Sequence, residues 1–95
     1  MVVVQAERDF PDADFWLQRS GSATTVGRPT RDYSRHDIGI KVLDTSVVLP
    51  DYLYYWFLNL YNQRYWETLS YGTVRLKHIR IEDVRQLLDA LTGDR

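Results

Sequence analysis

The 95-residue chain contains no cysteine and no long apolar run. Without cysteine, the protein can form neither a disulfide framework nor a thiolate metal site. Such a chain suits a reducing compartment, and we therefore expect it to reside in the cytoplasm. No apolar stretch approaches the roughly 20 residues that a membrane-spanning helix requires, so we expect no membrane partner.

The chain also lacks an excess of charge of either sign. Twelve Lys and Arg residues face thirteen Asp and Glu residues, for a net charge of −1, and no overall field attracts nucleic acid. The basic residues are nevertheless clustered, because residues 19–41 and 75–80 each carry a net charge of +3. Short basic blocks are typical of solvated loops as well as of nucleic-acid contacts, so the pattern leaves both interpretations open.

Signatures of a catalytic site are missing as well. The chain has no Gly-x-Ser-x-Gly nucleophile motif and no Gly-Lys-Ser/Thr phosphate loop. Its two histidines, His36 and His78, are far apart and do not have the spacing of metal ligands. Asp12 and Asp14 are close enough to serve as an acid–base pair, but a solvated turn explains them more simply. We therefore predict a non-catalytic protein without metal or cofactor.

The composition, 44% hydrophobic and 26% charged, is typical of a globular protein, and the length predicts one domain over residues 1–95. β-branched and alternating residues predict three strands, at residues 2–4, 14–19 and 38–43. The apolar run at residues 47–49 is a further strand candidate for the same sheet. Closely spaced glycine, serine and proline predict irregular backbone at residues 20–30.

Pro50 begins the strongest helical pattern, since proline loses no hydrogen bond at the first helical position. An apolar stripe with i, i+3, i+4, i+7 spacing follows and consists of Leu53, Trp56, Phe57 and Leu60. The pattern continues to Leu69, with a break near residues 62–63 and an expected helix end at Gly72.

A second helix is predicted from Ile81 to Leu91, because its apolar residues line one face and Gly93 follows its end. Residues 73–77 alternate apolar and polar side chains and are predicted to form a strand or an extended link. Together these elements predict an α+β fold, in which a small mixed or antiparallel sheet packs against an aromatic-rich helix and a shorter C-terminal helix.

Aromatic residues are concentrated in the first predicted helix, where residues 52–71 hold nine of the thirteen. A helix in so small a domain buries about one stripe, so the other rings either pack on neighbouring loops or form a partner surface. Tyr and Trp are frequent at interfaces because each ring combines apolar area with a polar group. The candidate partner-binding residues are Tyr54, Tyr55, Tyr61 and Trp66.

The segment from Arg19 to Arg28 is rich in glycine, hydroxyl and guanidinium groups. Glycine permits close backbone approach to a ligand, and Ser, Thr and Arg donate hydrogen bonds to phosphates or base edges. Further basic residues follow this segment and recur at residues 75–80, where a second phosphate-contacting edge is expected. The candidate DNA-binding residues are Arg19, Ser20, Ser22, Arg28, Arg31, Arg35, Arg75, Lys77 and His78.

Taken in order, these motifs resemble the target-recognition domain of type I restriction-modification specificity subunits. Residues 17–28 are similar to that family's Arg-x-Gly-Ser-x-x-x-Gly loop. Residues 48–57, Val-Leu-Pro-Asp-Tyr-Leu-Tyr-Tyr-Trp-Phe, resemble its Pro-x-Tyr-Leu-Tyr-Tyr helix, which is the most specific of the motifs. The Gly-Thr pair and the segments His-Ile and Ile-Glu-Asp-Val in residues 72–84 resemble the close of the same domain. The resemblance covers about residues 13–85.

In that family, the domain reads half of a split DNA target and docks on a methyltransferase dimer. The resemblance therefore implies a non-catalytic module that binds double-stranded DNA. The chain departs from the family in three ways: the family's domain has more sequence before the Gly-Ser loop, the long spacer helix is missing, and residues 85–91 replace a proline-rich exit. A two-part reader is consequently not encoded in these 95 residues.

A second hypothesis follows from the near-zero net charge, the missing spacer helix and the surplus aromatic residues. In it the chain is a protein-interaction factor, borne by a phage or another mobile element. It binds and inhibits a host defence complex in the manner of anti-restriction or anti-CRISPR proteins. The two hypotheses differ over where the basic blocks lie. A single surface formed by residues 19–35 and 75–80 favours DNA, whereas opposite sides of the domain favour a protein partner.

Overall fold

The computed structural model describes residues 3–73 and 75–93, so Val2 of the first predicted strand lies outside the described residues. The elements are, in chain order, β1 (Val4–Arg8), β2 (Phe15–Leu17), β3 (Ser20–Gly21), β4 (Pro29–Thr30), β5 (Ile38–Val42), α1 (Pro50–Asn62), α2 (Tyr65–Leu69), β6 (Tyr71–Gly72), β7 (Lys77–His78) and α3 (Ile81–Thr92). The predicted α+β class is confirmed.

Two antiparallel sheets organise the described residues. The first has four strands in the order β1-β5-β2-β4, and the second has three short strands in the order β3-β7-β6. Strand β5 is central in the first sheet because it pairs with β1 on one side and β2 on the other. A buried central strand favours β-branched residues, and Ile38, Ile40 and Val42 fill the core side of β5.

The core lies between the first sheet and the helices. Phe15 and Leu17 of β2 are buried, and the Phe15 ring meets the Phe57 ring of α1 at a centroid distance of 6.0 Å. Leu53, one helical turn before Phe57, is also fully buried. Burying a side chain of this size stabilises a protein by roughly 1.5–3 kcal/mol. The apolar stripe of α1 therefore anchors the helix to the sheet.

Helix α3 is tied to the edge strand β1 by a single arginine as well as by apolar packing. Arg85 donates from Nε and Nη2 to the carbonyl oxygen of Ala6, at 3.2 and 3.0 Å, and pairs with Glu7 at 3.1 Å. Val84 and Leu88 on the same helix are buried. No helix among the described residues is long and apolar enough to span a bilayer.

The aromatic helix breaks where the sequence predicts it. Helix α1 ends at Asn62, Arg64 adopts a left-handed conformation with φ of 60°, and α2 begins at Tyr65. The predicted helix end at Gly72 is wrong. Helix α2 ends at Leu69, because Tyr71 and Gly72 extend to pair with β7.

Two other sequence predictions need correction. Residues 47–49 do not join a sheet, because they form the turn into α1 and leave Val47 and Leu49 exposed. The segment 20–30 is not wholly irregular, because it contains β3 and β4. Both strands have only two residues, and runs this short carry no periodic signal in the sequence.

The loop between β3 and β4 is packed onto the core through Gly27. Its φ of +80° favours glycine, and a Cβ at this position would lie 1.9 Å from Cδ1 of Trp66. Trp66 is only 1% exposed, so its ring has little room to move away. The close approach of Gly27 to Trp66 therefore holds the loop that follows Ser20 against helix α2.

We predict that Gly27→Ala destabilises the protein strongly. The left-handed backbone costs a residue with a Cβ roughly 1–2 kcal/mol, and overpacking against the indole adds about 1–3 kcal/mol. The free energy of unfolding, measured by urea denaturation, reports the change. Gly93→Ala is the matched control, because Gly93 has φ of +71° but nothing within 4 Å of its Cβ position. Equal losses in the two variants would contradict the packing role of Gly27.

Candidate nucleic-acid interface

The two basic segments of the sequence meet in the second sheet. Strand β3 pairs with β7, with Ser20 opposite His78 and Gly21 opposite Lys77. The pairing extends by one residue, because the Ile79 N–H donates to the carbonyl oxygen of Arg19 at 2.9 Å. The glycine-serine segment and the late basic segment therefore lie side by side, as the DNA hypothesis requires.

One face of this sheet carries a row of polar and aromatic groups. Ser20 Oγ lies 2.7 Å from His78 Nδ1, and the imidazole tautomer decides which of the two donates. The Tyr71 ring of β6 lies 5.3 Å from the His78 ring. The Arg80 guanidinium lies over the Tyr71 ring, 4.4 Å from its centroid. A hydroxyl, an imidazole, a phenol ring and a guanidinium are thus neighbours across three strands.

Tyr71 was not among the candidate contact residues, and Arg80 was included only as part of the basic segment 75–80. Tyr71 was assigned to the end of an aromatic helix, and only the β6–β7 pairing brings it beside His78. Both residues are exposed, so a ligand can reach them. A cation stacked on an aromatic ring is attracted to the ring face, and this contact orients the Arg80 side chain.

The loop from Ser22 to Val26 is tightened by its own hydroxyl groups. Ser22 Oγ lies 3.0 Å from the Thr24 hydroxyl and 3.2 Å from the Thr25 hydroxyl. Tyr61 of α1 donates from its phenol to the carbonyl oxygen of Thr24 at 2.8 Å. The Ser22 hydroxyl is therefore engaged within the loop, and Tyr61 fixes the loop to the helix.

The other basic candidates differ in whether their side chains are paired with a carboxylate. Arg28 is exposed, and its side chain has no hydrogen bond or ion pair with another described residue. Arg31 pairs with Asp51 at 3.3 Å and stacks on the Tyr54 ring at 4.0 Å. Arg35 and Arg75 are both exposed. Arg28 is thus readily available to an anion, whereas Arg31 is partly neutralised.

Cationic residues outnumber carboxylates within the two paired segments, although Asp37, Asp51 and Asp32 lie beside them. Residues 19–31 and 75–80 together hold six of the twelve cationic residues and none of the thirteen carboxylates. The same residues contribute the three strands β3, β4 and β7. We call the groups that the β3–β7 pairing collects the paired basic surface; it includes both faces of the second sheet, because side chains alternate along a strand. It comprises Arg19, Ser20, Arg28, Arg75, Lys77, His78 and Arg80.

The aromatic candidates are mostly structural. Trp66 is buried in the core, so its expected role as a surface anchor is incorrect. Tyr54 is half-buried against the Phe15 ring, with the two rings in an edge contact at 5.6 Å. Tyr61 is also half-buried and holds the Ser22–Val26 loop. Of the four, Tyr55 is the one that is largely exposed, at 61%.

Asp37 is a carboxylate placed beside the first basic segment. Its Oδ1 accepts the Arg19 backbone N–H at 3.3 Å. Burial raises the pKa of Asp37, while the hydrogen bond from Arg19 and the neighbouring His36 act in the opposite direction. Because burial is the larger cause, the ionised form of Asp37 is less favourable in the folded protein than in the unfolded chain.

We predict that Asp37→Asn stabilises the protein at neutral pH. Asparagine keeps an oxygen acceptor for the Arg19 N–H but removes the charge of a partly buried carboxylate. Because the pKa of Asp37 is raised in the folded protein, protonated Asp37 contributes to folding stability. That contribution is complete at pH values below the ordinary aspartate pKa, and it is lost as the pH rises through the raised pKa.

The advantage of Asp37→Asn should therefore vanish in acid. Urea denaturation at neutral pH and at a pH below the ordinary aspartate pKa measures it, with the exposed Asp32→Asn as control. A variant that is less stable than the parent at neutral pH would contradict the account of Asp37.

Comparison with protein-family models, with curated proteins and with solved structures gives no significant match. The resemblance to type I specificity subunits therefore stays a prediction that depends on the motifs in the sequence. Within residues 3–73 and 75–93, no three His, Asp or Glu side chains converge to hold a metal ion. The candidate binding site in this region is therefore the paired basic surface, which concentrates cationic side chains.

Proposed function

We propose that the protein is a non-catalytic DNA-binding module that contacts double-stranded DNA through the paired basic surface. The observation that carries this proposal is the β3–β7 pairing, which brings two separate cationic segments together in a protein with a net charge of −1. Such a local concentration of cations attracts the phosphate backbone even when the whole molecule does not.

The groups available on this surface suit phosphate contact. Arginine and lysine side chains, hydroxyl groups and backbone N–H groups supply most protein–DNA hydrogen bonds to phosphates. About six phosphate contacts would give a slope of roughly −5 for log K against log salt concentration. The resemblance to target-recognition domains agrees with this proposal, and a cytoplasmic location would give the protein access to bacterial or phage DNA.

The first test removes one cation from each of the two segments. We predict that Arg19→Ala combined with Lys77→Ala weakens retention of a duplex and reduces the salt slope by about 1.8, or about 0.9 for each lost contact. Fluorescence anisotropy of a labelled duplex over a series of salt concentrations measures both quantities.

Arg8→Ala is the control for this experiment. Arg8 is exposed but lies on β1, at the opposite edge of the first sheet from β4. The control should leave the slope and the affinity unchanged. If the parent protein shows no salt-dependent retention of any duplex, or if the double variant and the control behave alike, the proposal fails.

A second candidate function is supported by an exposed apolar stripe on the first turns of α1. Leu49, Tyr52 and Tyr55 follow one another at intervals of three residues and are 61%, 56% and 61% exposed. Exposed aromatic residues of this kind are common anchors of protein interfaces. In this alternative the chain binds and inhibits a defence complex, such as a restriction or CRISPR assembly, through this stripe.

The stripe is tested with Tyr52→Arg and Tyr55→Arg. If the alternative holds, each substitution abolishes inhibition of DNA cleavage by a purified type I restriction complex without lowering the free energy of unfolding, because neither ring belongs to the core. Asn59→Arg, an exposed position one turn further along α1, is the control. Inhibition that survives both tyrosine substitutions, or its absence from the parent protein, would contradict this function.

A further inference from the structure

A β-bulge lies where the ribbon of β2 and β4 meets the basic loop. The backbone N–H of Gln18 donates to the carbonyl oxygen of Arg28 at 2.9 Å, and the Gln18 carbonyl accepts the N–H of Gly27 at 2.8 Å. Two residues therefore oppose one, and glycine with positive φ occupies the first position of the bulge. A bulge re-aims the side chains beside it, and here it places Arg28 opposite Gln18.

Gln18 and Arg28 line one open depression of about 560 Å³ at the edge of the first sheet. The depression is also lined by Arg31 and Asp32, so cationic and anionic groups share it. A carboxylate disfavours a phosphate, whose oxygens only accept hydrogen bonds. Base edges present donors as well as acceptors, and the mixed lining matches them better.

The Gln18 amide is oriented and still has hydrogen-bonding capacity. Nε2 donates to the Ser20 carbonyl oxygen at 2.9 Å, which fixes the amide plane. A glutamine amide has two N–H donors and one oxygen acceptor, so one N–H and Oε1 remain. Adenine presents an acceptor at N7 and a donor at N6 in the major groove, and these two groups match what Gln18 has left.

Arg28 offers the complementary specificity. Its guanidinium is exposed and has no partner among the described residues. A free guanidinium binds the O6 and N7 acceptors of guanine with two parallel hydrogen bonds. Arg28 is opposite Gln18 beside β4, which is the edge strand of the first sheet, so the two side chains are presented at an edge of the sheet.

We propose that Gln18 and Arg28 form a base-reading pair that selects an adenine and a guanine in the major groove. This inference rests on the proposed DNA-binding function and adds sequence selectivity to it. The other cations of the paired basic surface hold the phosphates, while Gln18 and Arg28 at the bulge distinguish base pairs.

The test enriches a random duplex library on the full chain and compares affinity for the enriched duplex with affinity for a scrambled one. A bidentate contact discriminates between bases by on the order of 10-fold. Gln18→Ala should reduce the affinity ratio by about that factor at one enriched adenine. Arg28→Lys, which keeps the charge but loses the planar fork, should do so at one enriched guanine. Arg8→Ala should leave the ratio unchanged.

The outcomes separate this inference from the proposed function. Salt-dependent binding without any enriched sequence overturns the base-reading pair and leaves DNA binding in place. Enrichment that survives both Gln18→Ala and Arg28→Lys also overturns it. Failure of the parent protein to retain any duplex overturns both proposals. Because Arg28→Lys leaves the backbone and the core untouched, it stays informative even if Gln18→Ala fails to fold.

Discussion

The proposed function depends on the backbone pairing of β3 with β7. In this pairing, Ser20 lies opposite His78 and Gly21 lies opposite Lys77. Their pairing is short, yet it spans most of the chain and brings two cationic segments into contact. The neighbouring Arg19–Ile79 hydrogen bond continues the ladder into the core, because Ile79 is buried. Without this ladder, the same cations would be isolated charges in solvent, each contributing little.

Core residues pack against the loop that follows this ladder. Trp66 fills the space under Gly27, and Gly27 in turn places Arg28 opposite Gln18 through the bulge. The aromatic residues therefore serve the surface indirectly. Tyr61 fixes the loop after Gly21, and Tyr54 supports Arg31. What looks in the sequence like a surplus of rings available to a partner is largely the structure that positions the basic loop.

The sequence predicts those elements that depend on neighbouring residues and misses those that depend on residues far apart in the chain. The helix starting at Pro50, its break near residue 62 and the strand at residues 38–42 follow from local periodicity. Composition and periodicity left open whether residues 19–35 and 75–80 share one surface, and only the β3–β7 pairing places residues 19–21 beside residues 77–79. The β3–β7 pairing and the burial of Trp66 depend on contacts between residues that are distant in the sequence, and no local window contains that information. The place of Tyr71 beside His78 comes from the local β6–β7 hairpin, whose two-residue strands are too short to give a periodic pattern.

The central claim is that one continuous surface, built from both basic segments, meets DNA. Titration of the ¹⁵N-labelled protein with a short duplex, followed by amide chemical shifts, tests it most directly. The account predicts shifts in residues 18–28 and in residues 75–80 at the same duplex concentration, with β1 unaffected. Shifts confined to one of the two segments, or located at the exposed stripe from Leu49 to Tyr55, would contradict it.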